Sequence, residues 1–168
     1  MRGLYLLSVW LHILAASVWI GGIVFLSLVL VPVSRNPDYR SVASSIIQGT
    51  GTRFRMVAWI CLSVLILSGG FNLYFRGLSL AGFFRGLLGQ GSFGTLLTIK
   101  LLLVSIILSI SALHDFLIGP RAMRLWQADP ASPEALRLRR LASLIGRINL
   151  ILALLVVALG ITLVRGWL

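Results

Sequence analysis

Four long apolar runs, at about 4–31, 56–75, 93–118 and 141–164, constrain this chain more than any other feature. A hydrocarbon slab about 30 Å thick is crossed by about 20 apolar residues in a helix. No water is available there, so each backbone N–H and C=O must pair within its own segment. The runs therefore predict an all-α integral membrane protein, an up-down four-transmembrane-helix bundle whose first partner is the lipid bilayer. With 58% hydrophobic and 11% charged residues, the chain has more apolar surface than one small soluble core could hide. Four spans and short connections use nearly all of residues 1–168, which predicts a single membrane domain.

Punctuation between the runs supports the division. Pro32 and Asn36-Pro37-Asp38 are expected to close the first helix, and Gly119-Pro120 the third. Arg53 and Arg55 precede the second, where Ser68-Gly69-Gly70 lets a neighbouring backbone come close. Asp129-Pro130 and Ser132-Pro133-Glu134 open a short amphipathic lead into the fourth, whose charge-free core begins after Arg147. Gly77–Ser92 is glycine-rich yet carries Leu78, Leu80, Phe83, Phe84, Leu87 and Leu88, so it is expected to lie along the membrane interface. The first run has no charge from Gly3 to Ser34 unless His12 is protonated, which makes it longer than a signal-peptide core of about 7–15 residues and predicts a retained span. Cys61 is the only cysteine, which rules out an intramolecular disulfide.

The net charge of +11, from 15 basic and 4 acidic residues, does not point to nucleic acid. Apart from Lys100, every basic residue lies at or between the ends of apolar runs, and no basic stripe with interleaved aromatics stands outside them. The face bearing the first and third connections holds ten arginines: Arg35, Arg40, Arg53, Arg55, Arg121, Arg124, Arg137, Arg139, Arg140 and Arg147. The opposite face holds Arg2, Arg76, Arg85 and Arg165. That asymmetry predicts the first face in the cytoplasm and both termini on the extracytoplasmic side.

Ionisable groups inside spans are costly, which marks His12 and Lys100. Counting from the outer ends of the first and third helices, both lie roughly 10–12 Å deep at about 1.5 Å per residue, a depth at which they could share one site. Ser8, His12, Ala15, Trp19 and Gly22 follow one face of the first helix; Lys100, Val104, Ile107, Ser111 and His114 follow one face of the third. A neutral imidazole there can ligate haem iron or copper, and a buried ammonium can hold a carboxylate. The plainer readings are a His12 bonded to a neighbouring helix, a Lys100 reaching to the outer surface, and a Trp19 that only packs. His114 lies about 20 Å deeper than His12, too far to share an iron with it. Beside Asp115 it reads as a solvated interfacial pair, or else as part of an inner site with Met56 and Cys61, whose soft donors suit copper(I). Nothing suggests hydrolase chemistry, since Ser, His and acid are not grouped and no glycine-rich phosphate loop is present.

The string Trp10-Leu11-His12-Ile13-Leu14-Ala15-Ala16-Ser17-Val18-Trp19-Ile20-Gly21-Gly22, with Pro32 closing the helix, resembles the opening of the copper-resistance protein D (CopD) family. The likeness continues in Arg53-Phe54, in Gly69, and in Phe93-Gly94-Thr95-Leu96-Leu97-Thr98-Ile99-Lys100-Leu101. It implies a multi-pass protein of the bacterial inner membrane that handles or imports copper ions, beside a periplasmic copper-binding partner. Members of that family can have eight helices, of which this chain would match the four-helix domain. His12, Trp19, Gly22 and Lys100 also resemble positions of HemJ-type protoporphyrinogen oxidases, which bind haem b. Those enzymes carry an arginine late in the first helix, where this chain has Ser27 and Leu28. The alternatives to copper handling are thus a haem-b redox protein and an accessory subunit of a larger membrane complex.

Overall fold

A computed structural model describes residues 2–75, 77 and 91–165. The Gly77–Ser92 link expected at the interface lies almost wholly outside the described residues, as do Arg76 and Arg85. Among the described residues, four helices are long and apolar enough to cross a membrane. We number them α1 (Arg2–Val33), α2 (Arg40–Phe75), α3 (Ser92–Ala128) and α4 (Pro133–Arg165). No strand occurs among the described residues.

Each helix runs past its charge-free core. α2 begins sixteen residues before Met56 because 40–55, although polar, contains no proline and can follow one helical path. α1 and α3 pass the prolines expected to end them. In both, a five-residue π turn, Leu26–Leu30 and His114–Ile118, stands two residues before the proline. The residue between, Val31 or Gly119, bonds back five positions, to the Leu26 or His114 carbonyl. The wider turn makes room for a ring that lacks an N–H donor, and the helix continues. Gly119 has a further reason: a Cβ there would come 3.0 Å from the His114 carbonyl oxygen. α4 opens where the sequence suggested, with the Ser132 hydroxyl accepting from the Ala135 N–H at 3.2 Å and Pro133 in the first turn.

α1 packs chiefly on α2 and α3 chiefly on α4. Contacts within each pair run in opposite chain directions: Tyr5 stacks on Phe75 and Ser8 reaches Ser68 on one side, while Ser111 meets Asn149 and Arg121 meets Glu134 on the other. Between the pairs sits one apolar cluster of Ala15, Trp19, Ile23, Ala58, Cys61, Leu62, Ile107 and Ala153. Outward faces remain apolar and bare, Leu6 at 65% and Leu67 at 73% exposure, as lipid-facing side chains must be. Beyond the charge-free cores, the ends of α2, α3 and α4 are tied by the Gln127 amide on Gln48, by Arg121 with Glu134, and by Arg139 over Trp126.

Candidate functional site

Helical spacing puts Ser8 and His12 one turn apart on α1, facing Ser68 and Gly69 of α2. His12 Nδ1 lies 2.8 Å from Ser68 Oγ. The Ser68 hydroxyl already donates to the Val64 carbonyl one turn back, so it accepts from the imidazole. An imidazole that gives its Nδ1 proton to that oxygen keeps a lone pair on Nε2. Ser8 Oγ donates to the Ser68 carbonyl at 3.4 Å. Gly69 keeps the flank of the ring open: a Cβ there would sit 3.5 Å from His12 Cε1.

Lys100 approaches the same region from α3. Its Nζ lies 3.4 Å from where a Cβ of Gly160 on α4 would stand, and it is close enough to His12 for the two groups to interact electrostatically. One turn beyond Ser68, Asn72 has a buried Oδ1 with no hydrogen-bond partner. This outer group has one imidazole, one amine, two hydroxyls and an amide, with no acidic residue among those named. Such a set can offer a single nitrogen to a metal or a positive charge to a carboxylate. Trp19, 6% exposed, forms part of the apolar floor beneath it.

The inner end is built on the π turn of α3. His114 Nδ1 lies 2.9 Å from Asp115 Oδ1, and Trp59 Nε1 donates to Asp115 Oδ2 at 3.0 Å. Arg55 donates to the Asp115 main-chain carbonyl at 2.9 Å. One carboxylate thus orients the imidazole and ties α3 to α2. A turn deeper, the Asn149 amide donates to Ser111 Oγ at 3.0 Å, and Asn149 Oδ1 is buried without a partner.

The sequence-derived candidates are distributed accordingly. His12 and Lys100 approach each other at the end of the bundle where α1 and α3 begin, and His114 joins Asp115 toward the opposite end. Cys61 is buried in the apolar cluster between them, whereas Met56 is 63% exposed on the outer surface of the bundle. Five residues on one helix are turned about 140° from each other, so Met56 and Cys61 do not share a face. Among the described residues, no three His, Cys, Asp or Glu side chains gather into a group that could hold a metal ion. Sequence reasoning missed Ser68, Asn72, Trp59 and Asn149. The signal available for Ser68, Asn72 and Asn149 was a polar residue inside an apolar run, which has to find a partner across helices.

The family model for copper resistance protein D matches residues 48–163, more than two thirds of the chain. The chain belongs to the CopD family. The matched segment takes in Cys61, Lys100 and His114, and His12 lies ahead of it. An uncharacterized protein of Aquifex aeolicus (strain VF5) is 30% identical over 167 residues, an alignment covering 96% of each chain. No solved structure matches. Membership supports a multi-pass membrane protein connected with copper resistance.

Proposed function

We propose that this CopD protein handles copper ions at the bacterial inner membrane, with a histidine at each end of the bundle carrying that chemistry. The observation that carries the reading is the 2.8 Å contact of His12 Nδ1 with Ser68 Oγ, whose hydroxyl donates to Val64: an Nδ1–H given to that oxygen leaves Nε2 to offer its lone pair to an incoming ion. In the orientation given by the arginine asymmetry, the helices run up and down, both termini are extracytoplasmic, and His12 faces the periplasmic side. A periplasmic copper-binding protein would deliver the cargo there. Cys61 offers a soft sulfur in the apolar middle, and His114, oriented by Asp115, receives the ion at the inner end. Lys100 sets a condition on entry. A copper ion and an ammonium near one imidazole repel, so Lys100 acts against copper at this site.

The test is copper(I) binding by the purified full chain against a chromogenic chelator. We expect His12→Ala to weaken binding at least about tenfold, the loss of one nitrogen ligand. Equal copper retention by wild type and His12→Ala overturns the reading.

A second reading has one specific observation in its favour: the amine beside His12 suits a carboxylate better than a bare cation. Haem b would take His12 Nε2 as an axial ligand and Lys100 as a propionate partner, beside the open flank at Gly69. A Soret band in protein from haem-replete cells, lost in His12→Ala, would select this reading; a colourless preparation removes it.

A further inference from the structure

One end of the bundle holds two positive charges that the copper reading does not employ. Arg139, in the lead of α4, lays its guanidinium over Trp126 with Cζ 3.7 Å from the ring centroid. Trp126 is buried and Arg139 half-buried. Arg35, just past the end of α1, stands close enough to Arg139 for the two charges to repel. Among the described residues, Asp115 is bonded to His114 and Glu134 to Arg121, and neither Arg35 nor Arg139 forms a salt bridge. The chain has only four acidic residues with which to supply a carboxylate. A stacked ring attracts a cation without neutralising it.

Position indicates the kind of anion that would suit the two arginines. Trp126 and Arg139 lie beyond the charge-free cores of α3 and α4, at the level where tryptophan rings and basic side chains meet lipid head groups. We infer that Arg35 and Arg139 together clasp the phosphate of one anionic phospholipid against the Trp126 ring. Each guanidinium can present paired N–H donors to the phosphate oxygens, a geometry that a lysine would not reproduce. A zwitterionic head group brings its own cation beside the arginines, whereas phosphatidylglycerol leaves its negative charge uncompensated.

The experiment uses the full chain in detergent micelles, with phosphatidylglycerol, phosphatidylcholine or inorganic phosphate added separately. Native mass spectrometry counts retained lipid, and tryptophan fluorescence follows thermal unfolding. We expect preferential retention of phosphatidylglycerol and a higher unfolding midpoint with it than with phosphatidylcholine. Arg35→Gln should retain about tenfold less, the loss of one charged clasp. The Arg35 side chain is exposed and forms no hydrogen bond or ion pair among the described residues, so this variant keeps its fold even where Arg139→Gln does not. Arg124→Gln, exposed on the same rim, should retain the lipid like wild type. Equal protection by phosphatidylcholine, undiminished retention by Arg35→Gln, or full stabilisation by inorganic phosphate alone overturns the assignment.

Discussion

At Gly22 a methyl group would overlap the Phe54 ring, so a single hydrogen decides how closely α1 and α2 can lie. Gly22→Ala should lower stability by about 1–3 kcal/mol, the usual cost of forcing volume into a packed contact. Chemical unfolding of the purified protein in micelles measures it, and a second change, Phe54→Leu, should restore part of the loss. His12 and Lys100 stood out in the sequence because an ionisable group within a span needs a reason. What holds His12 did not: Ser68 is 56 residues away, and periodicity names a face without naming the residue across from it. The separation of Met56 from Cys61 was legible, since five residues bring no two side chains to one side of a helix. Their shared preference for soft metals drew attention away from that geometry.

Among the elements, the existence of four apolar helices followed from length and hydropathy, and four span-capable helices are present. Their full extents were less legible. A charge-free run marks what lipid covers, while α2 continues from there into head groups and water as far as Arg40. Pro32 and Pro120 read as stops because a proline in a regular α-helix loses one bond and strikes the preceding turn. The π turns remove that conflict, and nothing in a local propensity announces them. The turn in α3 is also the place where Asp115 gathers His114, Trp59 and Arg55. Asp115→Ala strands the Trp59 donor and frees the imidazole, so it should destabilise the protein by about 1–3 kcal/mol. A shift in tryptophan emission, together with an earlier unfolding midpoint, would report it; an unchanged midpoint would mean that the carboxylate does not secure the turn.

For the molecule as a whole, the arginine asymmetry carries the orientation. Alkaline phosphatase fused after Leu168 should be active, as it is only outside the cytoplasm, and the same enzyme inserted between Ala131 and Ser132 should be inactive. Reversed activities would turn the bundle over and exchange the roles given to His12 and His114. The apolar cluster around Trp19, Cys61 and Ile107 separates those two histidines and lies where the α1–α2 hairpin meets the α3–α4 hairpin. Apolar and buried, it offers a file of water between the histidines nothing to bond. On the copper reading, an ion moving from one histidine to the other would have to cross this apolar seal, so the hairpins would have to part for each passage and transfer would come in discrete openings rather than a steady current.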